Sequence, residues 1–350
     1  MSNQSQTALV IGGGVAGMEA AAKIGQAGYQ VYLVEKEDVL GGVLGHLYSS
    51  FPHWDNPQDL LKNELTQVEK NSHIDILTGA EVKAARQEKG KYVIDLVFEN
   101  SGVTKTIGVD AVVLATGFQM FDASIYGEYG YGIYPNVLNS LEFESKLKDW
   151  GSAPGTFQPP QAVAFFKCVG SRDRSKGNPY CSKICCMYTA KQAGVVKDMF
   201  PQAKAYVFYM DYRAAGKDYE EFVRSVIETK HVRYVRGRPS KVLAENGKLI
   251  VRAEDTLMGI PIEVEVDMVV LATAVVPRPA TQALAELFGI KTDQYGFIES
   301  DKFSPAKAAE RVFMAGACGF AVETQGAQYQ GMAAAAEVIA LFRGLEQGGE

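Results

Sequence analysis

From Thr7 the chain opens with a short apolar run, TALVI, that passes directly into glycines, and VAGMEAAAKIGQAG then spaces its apolar residues for a helix ending at Gly28. A second apolar run, YQVYLVEK, follows. The opening therefore predicts a βαβ unit of about 30 residues, the start of a doubly wound dinucleotide-binding domain. Further strands are expected at IDILTG, YVIDLVF and DAVVLATG, and a charged helix at LEFESKLKDW. After GSAPGTFQPPQ, whose Pro and Gly density fits a domain crossing, the alternation restarts. It runs through strand AVAFFK, helix CMYTAKQAGVVKDMF, strand AKAYVFYM, helix YEEFVRSVIETK and strand VRYVRG. The late runs VDMVVLATAVVPRP and RVFMAGACG read like closing strands of the first domain. The expected fold class is α/β with two Rossmann-like domains. The first is discontinuous, residues 1–157 and 267–350, and the second, 158–266, is inserted within it.

Composition narrows what such a protein can meet. At 47% hydrophobic, 350 residues can bury a full core without disulfide or zinc staples. A net charge of −6 supplies no basic stripe for a phosphate backbone, so no nucleic-acid partner is expected. No apolar run reaches the roughly 18 residues of a membrane span, and MSNQSQ lacks the basic-then-apolar order of a signal peptide. The expected location is the cytoplasm, with no transmembrane segment. Four of the five cysteines crowd between Cys168 and Cys186, a clustering that points to metal or redox chemistry rather than to a disulfide scaffold.

The glycines read Gly12-Gly13-Gly14-Val15-Ala16-Gly17, a GxGxxG pattern set between strand and helix. Gly12 permits the tight turn, Gly14 lets a pyrophosphate approach the backbone, and Gly17 lets helix and strand pack closely. The helix N-terminus then offers free N–H groups to the phosphates. Glu35 closes the second strand about 20 residues later, where a carboxylate accepts hydrogen bonds from ribose hydroxyls. The pattern alone leaves FAD and NAD both open.

Cys168 closes a strand, and Cys181, Cys185 and Cys186 lie 13, 17 and 18 residues further on, around the start of a helix. Four thiolates converging on one point can satisfy a tetrahedral metal or the four irons of a cubane cluster. Zinc usually takes Cys-x₂-Cys knuckles, which are absent, and a redox disulfide would need only two of the four. A cluster accounts for all of them, with buried structural cysteines, zinc and a dithiol as the alternatives. Cys318, behind an apolar strand, reads as a small buried hydrophobe or as a group near the nucleotide.

Two resemblances extend these readings. Glu35-Lys36 before Gly41-Gly42, Ala115-Thr116-Gly117 after an apolar strand, and VFMAGAC before a Gln/Ala-rich helix are similar to the two-dinucleotide-binding-domain flavoproteins of the pyridine nucleotide-disulfide oxidoreductase type. That resemblance implies FAD on the first domain. Its implied contacts are Gly12, Gly14, Val15, Ala16, Gly17, Glu35, Lys36, Gly42, Val43, Val82, Ala115, Thr116, Gly117, Gly316, Ala317, Gln325 and Gly326. Where those proteins end the late strand in Gly-Asp, this chain has Gly316-Ala317. The run C-VGSRDRSKGNPY-C-SKI-CC-MYTAKQA resembles the A-type subunits of heterodisulfide reductases, which implies a [4Fe–4S] cluster on Cys168, Cys181, Cys185 and Cys186.

The compact length, the absence of cysteines at FPHWDNP and the lack of ferredoxin-like additions resemble most the A-type subunit of the sulfur-oxidising heterodisulfide reductase-like complex. The A-type subunit of the quinone-interacting oxidoreductase of sulfate reducers is a neighbour. The resemblance implies an oxidoreductase subunit that relays electrons between flavin and cluster in sulfur metabolism, with heterodisulfide reductase B- and C-like subunits as partners and a homodimer core. The alternatives are a stand-alone NAD(P)H-dependent disulfide reductase and a cofactor scaffold that does not turn over. In the second domain, Cys168-Val169-Gly170-Ser171-Arg172 replaces the bare glycine turn of a nicotinamide site, so NAD is not expected there. Arg172 and Arg174 are expected to be solvated or to meet an anion. His46, His53, His73 and His231 form no catalytic spacing, and His53 is either structural or close to the flavin.

Overall fold

The computed structural model describes residues 6–153 and 155–347 and divides into two compact units. The first comprises Met1–Gly45, Gln58–Gln119 and Val276–Glu350; the second comprises His46–Pro57 and Met120–Val275.

In the first unit a six-stranded sheet runs in the order Lys307–Ala309, Val312–Met314, Ala111–Leu114, Thr7–Ile11, Gln30–Val34, Ile74–Leu77. The pairings from Val312–Met314 to Ile74–Leu77 are all parallel, and the two central strands carry apolar side chains that are buried on both faces. Helices Val15–Gln26 and Thr324–Gln347 pack together on one side through small residues, where a Cβ on Gly331 would come within 2.5 Å of the Ala16 carbonyl oxygen. On the other side Leu9, Val112 and Leu114 join Ile94, Leu96 and Val109 from an antiparallel three-stranded sheet, Ala80–Glu88, Lys91–Phe98 and Thr104–Val109.

The second unit repeats the scheme. Its five-stranded parallel sheet is ordered Arg233–Arg236, Lys204–Tyr209, Ala162–Val169, Met268–Thr273, Val137–Asn139. Helix Ser140–Ser152 starts on a capping box in which Asn139 Oδ1 accepts from the Glu142 N–H at 3.0 Å and Glu142 Oε2 accepts from the Asn139 N–H at 2.8 Å. It packs with helix Cys185–Met199 against one face of the sheet, and the antiparallel strands Lys241–Glu245, Lys248–Asp255 and Ile260–Val266 lie against the other.

The unit boundaries differ from those expected at 157/158 and 266/267. The run Met268–Thr273 pairs in register with Ala162–Val169, so it belongs to the second sheet and not the first. The segment around 151–161 is an internal connection of the second unit, with Phe157 stacked on Trp150 at 5.8 Å between ring centroids. His46–Pro57 also belongs to the second unit. The Tyr48 N–H donates to Glu144 Oε2 at 2.8 Å, and the Trp54 ring meets Phe222 at 4.7 Å. Among the described residues, no helix is long and apolar enough to cross a membrane.

Candidate cofactor sites and a cysteine-rich centre

The glycine turn of the first unit is a cradle with one open face. A Cβ on Gly12 would lie 2.3 Å from the Ala115 carbonyl oxygen, and one on Gly17 would lie 1.8 Å from that of Gly12, so both positions exclude any side chain. Gly12 also holds φ at +115°, which L side chains rarely adopt. At Gly14 a Cβ would meet nothing within 4 Å, although Gly42 comes in from the side, its own Cβ position 3.1 Å from the Gly14 Cα. Helix Val15–Gln26 begins at Gly14 with no side-chain cap, leaving its first N–H groups to that open face.

Glu35 is buried and already accepts from the Gly13 N–H at 2.7 Å and the Glu37 N–H at 3.0 Å, which fixes its carboxylate beside the turn with lone pairs to spare. Tight packing where the backbone closes and free space where a pyrophosphate would lie is the arrangement a dinucleotide needs. The residues present fit FAD.

Around this cradle the structure gathers several of the expected residues. Val15 and Ala16 open the helix, Gly316 (φ +74°) brings its Cβ position 2.9 Å from the Ala16 Cβ, and the Gly316 N–H donates to Gln330 Oε1 at 2.8 Å. The Ala115 N–H donates to the Ile11 carbonyl at 2.8 Å, the Thr116 hydroxyl bonds that of Thr281 at 2.8 Å, and Gly117 sits at φ +70°. Val43 is half-buried on the short turn Gly42–His46, Val82 is half-buried on Ala80–Glu88, and Ala317 is buried. Gln325, exposed, and Gly326 lie in the first turn of Thr324–Gln347. Lys36 is exposed and ion-paired with Glu37 at 3.0 Å.

Cys318 is fully buried, and its thiol donates to the Leu114 and Ala315 carbonyls, both at 3.2 Å. Burial pushes it up to about 11, the behaviour of a structural thiol.

In the second unit the cysteines collect where a central strand ends and a helix begins. Strand Ala162–Val169 carries Cys168 at φ +61°, a left-handed conformation that coincides with a register shift against Met268–Thr273. Cys185 and Cys186 are the first two residues of helix Cys185–Met199. Cys168, Cys185 and Cys186 are each at most 3% exposed, whereas Cys181 is half-buried in the loop before the helix.

Cys185 interacts with both of the other buried thiols. Hydrogen bonding from Cys185 holds Cys168 down to about 7 and Cys186 down to about 5, while Cys185 is raised by the same two bonds and by burial. Cys185 therefore keeps its proton between two sulfurs that lean to thiolate. Backbone N–H groups add to this, from Arg213 to Cys186 Sγ at 3.3 Å and from Lys183 to Cys181 Sγ at 3.4 Å. Among the described residues, no group of three or more His, Cys, Asp or Glu side chains is already set to hold a metal ion. The donor set nevertheless suits a thiolate-ligated iron–sulfur cluster, with Cys168 and Cys186 held down and backbone N–H groups directed at Cys181 and Cys186.

The loop at 170–184 is filled with side chains, and Ser182 is its hub. Its hydroxyl bonds that of Ser171 at 3.1 Å and accepts from the Val275 N–H at 2.9 Å, while Tyr180 OH donates to the Val275 carbonyl at 3.0 Å. A Cβ on Gly170 would strike the Phe121 ring at 2.3 Å, so this glycine faces an aromatic ring and offers no phosphate cradle. Arg172 is committed to Asp211 through two hydrogen bonds, at 2.7 and 2.9 Å, and Arg174 is exposed. His46, His53, His73 and His231 are each exposed.

Two buried charged groups escaped the sequence reading. Lys167, 5% exposed, has no hydrogen-bond acceptor for its Nζ, which instead lies over the rings of Tyr209, Tyr212 and Tyr234 at 5.6, 5.9 and 5.7 Å. Each cation–π contact is worth about 0.5–2 kcal/mol, which only partly offsets the several kcal/mol of burying an ammonium. A charge inside the otherwise apolar run AVAFFKCV is the signal that marks it. Lys191, 1% exposed, is ion-paired with Glu144, and Gln192 also donates to that carboxylate and to the Ser140 carbonyl, the latter at 2.8 Å.

Comparison with known proteins agrees with this architecture. Residues 6–151 match the family described as pyridine nucleotide-disulphide oxidoreductase. The iron-sulfur A-subunit of the CoB–CoM heterodisulfide reductase of Methanocaldococcus jannaschii is 32% identical over 84% of this chain and 57% of its own length. A second such subunit, from Methanopyrus kandleri, is 31% identical over 94% of this chain and 63% of its own. The chain thus spans about three fifths of these curated relatives. Among solved structures, T. acidophilum thioredoxin reductase superposes with a TM-score of 0.67 at 18% identity, covering 95% of this chain and 97% of that one. The chain therefore has the two-Rossmann fold of the pyridine nucleotide-disulfide oxidoreductases, a fold that supports FAD, and its named relatives over most of its length are heterodisulfide reductase A-subunits.

Proposed function

We propose that this chain is the flavin- and cluster-bearing electron-transfer subunit of a heterodisulfide reductase-like complex. The observation that carries the proposal is the cysteine centre, in which Cys168, Cys185 and Cys186 are buried together at the strand end and helix start where a nicotinamide site would keep a bare glycine turn. Cys181 supplies the fourth sulfur. In the first unit Gly12, Gly14, Gly17 and Gly42 shape the bed for the FAD pyrophosphate, the start of helix Val15–Gln26 presents N–H groups to it, and Glu35 takes the ribose. Val43, Val82, Ala115–Gly117, Gly316, Ala317, Gln325 and Gly326 line the remainder. When bound, FAD supplies two-electron chemistry and a [4Fe–4S] cluster one-electron transfer.

The heterodisulfide reductase relatives support the finer reading. The sulfur substrate is handled on B- and C-like partner subunits, two copies of this chain form the core, and the assembly works in the cytoplasm in sulfur metabolism. The compact cysteine set, without further clusters at FPHWDNP, favours the sulfur-oxidising form of the complex over the methanogenic one.

The test is chemical analysis of anaerobically purified protein. About four irons and four sulfides per flavin support the proposal. Flavin without iron after reconstitution, together with a titratable dithiol and bleaching by NAD(P)H, would replace it with a disulfide reductase.

A further inference from the structure

Resting on the reading of the four cysteines as cluster ligands, we infer that Lys167 is a built-in counter-charge for that cluster, caged by Tyr209, Tyr212 and Tyr234, and that it raises the cluster's reduction potential.

Three observations converge on this residue. First, the ammonium is buried, and among the described residues no carboxylate, carbonyl or hydroxyl accepts from its Nζ. Second, its surroundings are aromatic on several sides. Tyr209, Tyr212 and Tyr234 each present a ring within 6 Å, and the Tyr234 hydroxyl is itself buried without a hydrogen-bond partner. Third, the charge sits beside the thiols: Lys167 directly precedes Cys168 on strand Ala162–Val169, and Tyr212, whose ring its Nζ faces at 5.9 Å, directly precedes Arg213, whose N–H donates to Cys186 Sγ at 3.3 Å.

The nearby arginines do not serve this purpose as well. Arg172, although it also reaches Cys168, is neutralised by its two bonds to Asp211. Arg213 contributes its backbone N–H to Cys186, while its half-exposed side chain stands 3.6 Å from Asp211. Lys167 is the buried cation next to the cysteines, and Asp211, the acid within its electrostatic reach, is already bonded to Arg172.

The consequence is electrostatic and forms no bond. Each one-electron reduction adds one negative charge to a thiolate-bound cluster that is already anionic. A fixed positive charge in a dry setting stabilises that added charge more than it would in water. Removing it disfavours the reduced state and lowers the potential.

The experiment is an EPR-monitored potentiometric titration of the full chain, purified anaerobically and poised with dithionite, ferricyanide and mediators. Three variants are compared with wild type. Lys167→Met should lower the cluster midpoint by at least tenfold in the one-electron reduction constant, about 59 mV. Lys167→Arg, which keeps the charge, should stay near wild type. Tyr212→Leu opens the cage at its exposed rim, admits water and should lower the midpoint by less than Lys167→Met.

A Lys167→Met midpoint equal to wild type would overturn the inference. If Lys167→Met fails to take up iron, Tyr212→Leu decides, and an unchanged midpoint there overturns it as well. Wild-type protein without iron would instead remove the cluster reading on which the inference rests, a failure visible before any variant is titrated.

Discussion

Both units place a helix after a central strand of a parallel sheet, and they differ in what fills the turn between. In the first, Thr7–Ile11 reaches Val15 through glycines, and the space beside Gly14 is open. In the second, Ala162–Val169 reaches Cys185 through a long loop closed by Ser171, Tyr180 and Ser182, with thiols at both ends. One turn is emptied so that a phosphate can meet backbone N–H groups, and the other is filled so that sulfur atoms meet one another. On the proposed reading a single architecture serves two kinds of ligand because the strand end and helix start are fixed while the turn is free to vary.

Each unit also buries charge next to its own helices, with opposite results. In the second, Lys191 and Glu144 neutralise each other, and Gln192 and the Tyr48 N–H bond the same carboxylate, so the group ties helix Cys185–Met199, helix Ser140–Ser152 and the segment His46–Pro57 together. In the first, Glu19 and Glu64 are two carboxylates whose interaction, with burial as the larger cause, pushes Glu64 up to about 7. The second unit's pair ties its elements together through opposite charges. The first unit's pair responds to pH.

The sharpest way to break the comparison is Gly17→Ala. The added Cβ would sit 1.8 Å from the Gly12 carbonyl oxygen, so the first unit should lose about 3 kcal/mol or more and its flavin, as read by thermal unfolding and flavin retention. Tolerance of alanine there would mean the turn is not packed as described. Cys185→Ala comes next. It should abolish iron uptake while leaving flavin content at wild type, a selective loss that iron and flavin assays on one preparation can resolve; equal loss of both cofactors would make Cys185 a general stability residue.

Gly14→Ala should separate folding from binding. Its Cβ enters open space, so stability should change by no more than about 1 kcal/mol while FAD affinity drops roughly tenfold through obstruction of the pyrophosphate, measured by flavin titration of the apoprotein. Glu64→Gln should act on the pH dependence of stability alone. Because the folded carboxyl holds its proton more tightly than the unfolded one, its contribution to stability is fully present below about pH 4.5 and is lost as pH rises through about 7. Wild type should therefore be roughly 1–2 kcal/mol less favoured at pH 8 than at pH 5 through this group, and Glu64→Gln should flatten that part of the denaturation profile. An unchanged pH profile would show that burial beside Glu19 does not raise the Glu64 carboxyl.

Much of this was legible in the chain itself. The glycine spacing, Glu35 and the four cysteines stand where local pattern placed them, because each depends on residues adjacent along one strand–turn–helix. The sheet assignment of Met268–Thr273 was not legible. A fully apolar parallel strand looks alike whichever sheet it enters, and its partner at Ala162–Val169 lies about a hundred residues away. The unit crossing was misplaced for a related reason, since the Pro and Gly residues near Pro160 mark a loop inside one unit rather than a boundary between two. Several antiparallel strands, among them Thr104–Val109 and Ile260–Val266, were hidden by exposed polar faces that read as loop. Lys167 was visible as a charge in an apolar strand, but its meaning lies in the tyrosines Tyr209, Tyr212 and Tyr234, which only the fold brings around it.

The most direct test of the central claim is an anaerobic reductive titration of the purified chain with dithionite, counting electrons per flavin. A flavin with a one-electron cluster predicts an uptake of about three, two bleaching the flavin and one appearing as a reduced-cluster EPR signal. An uptake of about two, flavin alone, or of about four with no paramagnetic signal, flavin plus a disulfide, would contradict the account.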